Sequence, residues 1–267
     1  MKDTKKKLTR SLVAVALVGI IAVPAYALNG FPASKAAVAI GQITALGTAS
    51  ASTNNGASSD TGWIRVMQTF IKTANAKDLS FDLAAQCGLV TNTQVKSKGG
   101  AIDTSSARGK VRFRIEVFDV SGSAEPNRGG ISLGFAFPSQ QSGVFGDPAI
   151  EEGVTYCDRF QQLEAQFAGL NCTADLRTGA VTCTDPEVLR LILKTLGAHA
   201  FNYLFADAPP GVKRIEVQAR ATANVALGGS ELGAATAEAF VGLGSLLVEE
   251  LRLIKGADTT SVIVELP

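Results

Sequence analysis

Apolar and polar positions alternate with period two along most of the chain beyond Trp63. The clearest run is Lys110–Val120, where Val111, Phe113, Ile115 and Val117 alternate with Arg112, Arg114, Glu116 and Phe118. This is the mark of a strand with one face buried. Trp63–Lys72, Asp78–Thr91, Ile131–Phe137, Val154–Phe167, Phe201–Phe205, Val212–Val225, Ser245–Lys255 and Ser261–Leu266 read as further strands. Cys172–Cys183, with a turn signal at Thr178-Gly179, reads as a hairpin. Strands and helices do not alternate, which excludes the doubly wound and barrel α/β folds. The expected fold is all-β: an antiparallel, jelly-roll-like β-sandwich spanning 63–267.

One segment breaks the pattern. Asp185-Pro186-Glu187 offers an N-cap, a proline at the first helical position and an early acid. Leu189, Ile192, Leu193 and Leu196 follow at i, i+3, i+4 and i+7, and Gly197 can end the run. These signals predict one short helix sealing an edge of the sandwich. A strand with Leu189, Leu191 and Leu193 on one side is the rival reading. Ahead of the body, Ser34–Thr48 has weak strand character at Val38, Ile40 and Ile43. Ala49–Gly62 is rich in Ser, Asn and Gly and reads as a linker. Residues 28–62 are therefore expected to form a flexible N-terminal arm.

Charge and cysteine content add a compartment. The chain has 25 Lys+Arg and 24 Asp+Glu, but Met1–Arg10 alone holds five basic residues and one acid. The remainder carries 20 basic and 23 acidic residues, a net of −3, which argues against a nucleic-acid partner. Behind the basic cluster, Leu12–Val23 is an uncharged apolar run, followed by Pro24 and Ala25-Tyr26-Ala27. That order is a secretory signal peptide over 1–27. The apolar run is shorter than the roughly 20 residues a membrane span needs. The mature chain is expected to be secreted, extracellular or periplasmic, with no membrane span. In such a compartment the four cysteines predict two disulfides. The hairpin favours Cys172–Cys183, which leaves Cys87–Cys157 as a long-range staple.

The C-terminal part has a recognisable cadence: Phe201-Asn202-Tyr203-Leu204-Phe205, Pro209-Pro210-Gly211-Val212, Arg214–Arg220 and Ser245–Leu251. It resembles the closing strands of exported jelly-roll sandwich proteins, such as complement C1q and tumour-necrosis-factor modules. It is also similar to exported bacterial or archaeal proteins with such an ending. The resemblance covers about a fifth of the chain and implies architecture only, with no binding residue carried over.

Candidate chemistry is sparse. His199 is the single imidazole, no G-x-S-x-G elbow is present, and a capping or packing role is expected for it. No catalytic residue is expected. Glycoside hydrolysis needs two carboxylates, and the candidates are Glu116, Glu151, Glu152, Glu164, Glu216, Glu249 and Glu250. A glycan groove would expose Trp63, Tyr156 or Tyr203 beside them. Calcium is the one candidate cofactor, with Asp147, Glu151, Glu152 and Asp158 clustered in a loop-like span. Asn171-Cys172-Thr173 matches a glycosylation sequon. Ala37–Ala45 or Ser261–Leu266 could add as a strand to a neighbouring subunit, although Ala37–Ala45 could equally pair within its own domain. The leading expectation is an exported, non-enzymatic structural or binding protein. The alternatives are a carbohydrate-binding module or glycoside hydrolase, and a calcium-stabilised adhesin-like domain.

Overall fold

The computed structural model describes residues 35–41, 44–51, 56–97, 102–138, 152–166, 172–183, 187–228, 233–251, 253–255 and 262–264. The leader at 1–27 lies outside the described residues. Sixteen strands occur among those residues, and no helix. They are β1 Ala36–Gly41, β2 Thr44–Ala51, β3 Ala57–Asp60, β4 Ile64–Thr73, β5 Lys77–Ser97, β6 Ile102–Asp119, β7 Ile131–Phe135, β8 Phe137–Pro138, β9 Val154–Gln166, β10 Cys172–Ala174, β11 Val181–Cys183, β12 Glu187–Ala208, β13 Gly211–Gly228, β14 Ala234–Leu251, β15 Leu253–Lys255 and β16 Val262–Val264.

Two antiparallel sheets carry the body. In the first, β5 lies between β14 and β12, β1 and β2 line the outer edge of β14, and β8 touches β12. In the second, β6 lies between β13 and β9, with β7 also on β6, while β3 and β4 line β13. Alternation decides which side chains meet between the sheets. Phe81, Leu83, Cys87 and Leu89 of β5 face Val111, Phe113, Ile115 and Val117 of β6 and Ile215, Val217 and Ala219 of β13 in one core. Towards one end the core narrows to Ala107, Ala223, Val225, Ala235 and Ala237.

The 185–197 segment is strand, not helix. Residues Glu187–Phe205 pair without a break against Leu79–Ser97 of β5. The strand partner supplies a backbone hydrogen-bond ladder over nearly the whole element, which outweighs the local capping signals at its start. Apolar residues occupy both faces of β12, so a helical spacing of leucines appears inside a strand.

The N-terminal segment is likewise part of the body. β1 pairs with Gly244–Glu249, β2 with Ala235–Val241, and β3 with Thr222–Val225. Ala37 and Ala39 of β1 pack on the main core, and Ala57 of β3 on its alanine-rich end. The arm and linker expected over 28–62 are therefore strands at 36–41, 44–51 and 57–60.

Two bulges set which residues turn inward. In β14, Val241 faces Cys87 and Gly244 faces Ala85, so one extra residue is absorbed at Gly242-Leu243. Inward positions are odd through Val241 and even from Leu246, with Leu243 exposed. In β9, Cys157 pairs with Val111 and Thr155 with Arg112, leaving Tyr156 as the bulged residue. Both Tyr156 and Cys157 are consequently buried.

That second bulge delivers the disulfide. Cys87 of β5 and Cys157 of β9 are bonded across the two sheets, with Cα atoms 6.2 Å apart. It is the one disulfide among the described residues. Of the two bridges expected, the Cys172–Cys183 pair is not described: β10 and β11 place these residues opposite each other in register, but their side chains lie outside the described residues. Replacing Cys87 and Cys157 together by Ala is expected to lower unfolding free energy by about 4 kcal/mol, from the chain entropy of a 70-residue loop. Denaturant midpoints of the double variant and the parent, each without reductant, check this.

Candidate functional site

The outer face of the second sheet holds the densest polar constellation. Glu116 and Glu216 stand directly opposite each other on β6 and β13, as a carboxylate pair would require. Each is already engaged. Glu116 accepts hydrogen bonds from Ser132 Oγ at 2.7 Å and Gln218 Nε2 at 2.9 Å. Glu216 accepts ion pairs from Arg65 Nη1 and Arg214 Nε, both at 2.9 Å. Arg214 also donates to the carbonyls of Pro126 and Gly129, and its guanidinium lies 4.2 Å from the Phe118 ring centroid. Arg114 sits between Trp63 and Phe135, 4.3 Å from each ring centroid. The 121–130 loop thus lies over this face, and Trp63 is a lid on an arginine. The arrangement is structural cross-bracing: Glu216 is bound by two arginines and Glu116 by a hydroxyl and an amide.

The remaining predicted residues do not converge. Tyr156 and Tyr203 are buried in the core, where burial pushes both phenols well above their ordinary range. Neither can line a glycan groove or move a proton near neutrality. Glu152 pairs with Arg112, and Asp158 with Arg108 at 2.6 Å. Asp147 and Glu151 lie outside the described residues, as does Asn171. Among the described residues no three His, Cys, Asp or Glu side chains gather as a metal group would require. Glu164 and Glu249 are exposed on separate strands. His199 is exposed, its ring edge-on to Tyr156 with centroids 6.4 Å apart.

Asp60 of β3 shows what these ion pairs do. Arg220 holds it through Nε and Nη2, and this hydrogen bonding lowers the Asp60 carboxyl from 3.8 to about 2. A carboxyl lowered in the folded state adds stability that is complete above about pH 4. That stability is lost as pH falls towards 2. The difference in denaturant midpoint between the parent and Asp60→Asn should therefore shrink from pH 5 to pH 2.

A different feature is left open. β9 ends the second sheet and β12 ends the first, on the same side of the body. Gln161 of β9 bridges them: it accepts from Thr91 Oγ1 at 2.5 Å and donates to Thr93 Oγ1 at 2.6 Å and to the Leu191 carbonyl at 3.0 Å. Tyr156 Oη donates to the Leu83 carbonyl at 3.1 Å. Beyond this brace, β12 has no strand on its outer edge among the described residues, except β8 at Tyr203 and Leu204. Along that edge Val188, Leu189, Leu191, Ile192, Leu193 and Leu196 are exposed, from 38% at Leu191 to 64% at Leu196. Register continuity puts Leu189, Leu191 and Leu193 on the core-facing side with Tyr203 and Phe205. Val188, Ile192 and Leu196 stand on the other side.

A long, apolar, unpaired edge is a template for strand addition, which proteins otherwise blunt with charge, proline or cover. The sequence carried this signal in Leu189, Leu191 and Leu193, which the rival strand reading had aligned. Gln161 gave no sequence signal, because a lone glutamine on an alternating strand is indistinguishable from a surface one. Compared with family models, curated proteins and solved structures, the chain matches none. Gln161→Leu is expected to leave two threonine hydroxyls and a carbonyl without their partner and to cost about 2–4 kcal/mol. Thermal unfolding with the disulfide intact checks this.

Proposed function

We propose that the chain is an exported, non-enzymatic β-sandwich subunit that assembles through the open edge of β12. The observation that carries the reading is this edge: six large apolar side chains exposed along a strand that, among the described residues, has no strand partner on its outer side from Val188 to Leu196. Fully burying a Leu, Ile or Val side chain gains about 1.5–3 kcal/mol, so strands added here gain both burial and ladder hydrogen bonds. The leader sequence and the Cys87–Cys157 bridge support an oxidising compartment outside the cytoplasm. The engaged carboxylates and buried phenols support a structural role over hydrolysis.

The mature chain from Leu28 should form oligomers or filaments in light scattering and electron microscopy. Leu191→Lys with Leu193→Lys places charges on a half-exposed edge, where the fold tolerates them and strand addition does not. This double variant should be monomeric with an unchanged far-ultraviolet spectrum. A parent that is itself monomeric at high concentration, or a variant that assembles like the parent, sinks the reading.

A further inference from the structure

We propose that the strand added to β12 is Ser261–Leu266 of a second copy of this chain, joining subunits head to tail. The inference rests on the assembly reading above and names its partner.

The geometry of β14 carries it. This strand runs the length of the first sheet and finishes with Leu251 opposite Asp78 of β5. The open part of β12 lies at the other end, where Leu189–Leu193 pair with Thr91–Val95 of β5. Thirteen residues of β5 separate the Asp78 and Thr91 positions, about 43 Å at roughly 3.3 Å per residue. The chain from Leu251 to Val262 spans eleven residues, at most about 36–40 Å when fully extended. A subunit therefore cannot seat Val262 opposite its own Leu193. In that register the donor comes from another copy.

Sequence and charge favour this segment and fix its register. Ser261-Val262-Ile263-Val264-Glu265-Leu266 is β-branched and alternating, six residues against the six of Leu189–Lys194. In an antiparallel register with Val262 opposite Leu193, Val264 falls opposite Leu191 and Leu266 opposite Leu189, on the core-facing side. Ile263 then meets Ile192, and Glu265 meets Arg190, on the outer side. A parallel register places Glu265 against Ile192 and loses the charge match. Among the described residues Val262–Val264 pairs with Leu253–Lys255 alone, in a separate two-stranded sheet of three residue pairs. So short a pairing opens at small cost. β1, by contrast, is already committed to β14 over six residues. Because donor and acceptor lie at opposite ends, the contact is heterologous and propagates as an open filament unless the rotation closes a ring.

The test is disulfide cross-linking of mature full-length chains. Leu191→Cys and Val264→Cys are made as separate variants, mixed, oxidised and run on a non-reducing gel. A dimer band in the mixture, absent from either variant alone, supports the proposal. Glu265→Arg and Arg190→Glu should each reduce that band about fivefold, and the two together should restore it, since directly opposed charges on paired strands couple by this amount. Leu191→Cys cross-linking to itself instead overturns the donor while leaving the assembly reading standing, with β12 edges paired to each other. Assembly that persists with Ser261–Leu266 deleted also overturns the donor alone. A mixture that stays monomeric and uncross-linked, with a parent that does not assemble, overturns both.

Discussion

The attachment of β9 to β5 is the constraint on which the rest of the molecule depends. An edge strand of one sheet is tied to the central strand of the other by three contacts of different kinds. Tyr156 donates to the Leu83 carbonyl, Cys157 is bonded to Cys87, and Gln161 joins Thr91, Thr93 and the Leu191 carbonyl. All three depend on the bulge at Tyr156, which turns two consecutive residues inward where a regular strand would turn one. The sheets are thereby held at a fixed separation on the side where, among the described residues, no further strand closes them. β12 is presented as a firm edge because its neighbour β5 is anchored.

The two outer surfaces behave oppositely. On the second sheet, charges outnumber apolar groups, yet Arg65, Arg114, Arg214, Glu116 and Glu216 satisfy one another, the 121–130 loop or aromatic faces. Such a surface offers little to a partner, since any contact must first break good pairs. On the β12 side the exposed groups are mainly apolar, and no described strand covers its outer edge from Val188 to Leu196. The exposed apolar side chains there outnumber the two charged ones, Arg190 and Lys194.

Much of the architecture was legible in residue order. Lys110–Val120 declared its buried face through alternation, and β6 buries Val111, Phe113, Ile115 and Val117 as that pattern required. Cys87–Cys157 followed from compartment and hairpin spacing. Two regions were not legible, for different physical reasons. On β12 both faces are apolar, so helix and strand periodicities fit the same leucines, and only the tertiary ladder with β5 separates them. In β2 and β3, Ala, Ser and Gly look like linker because they bury little area. They are strand because β14 and β13 supply the ladders they pair with. The open edge was half legible: its residues could be aligned, but its want of a neighbour is a property of topology.

The bulge at Gly242-Leu243 has a consequence for how β14 can vary. The alternation changes phase there, like a reading frame shifted by one. Upstream, Ala235, Ala237, Ala239 and Val241 fill the core; downstream, Leu246 and Val248 do. Losing one residue within either half would turn part of that half inside out, whereas losing one at the bulge itself would need the two phases to be reconciled elsewhere. Both halves pair with the same strand, β5, whose own phase is continuous from Leu79 to Leu89. The single extra residue is thus a fixed offset between two parts of one strand, and β14 can accept substitution far more readily than a change of length.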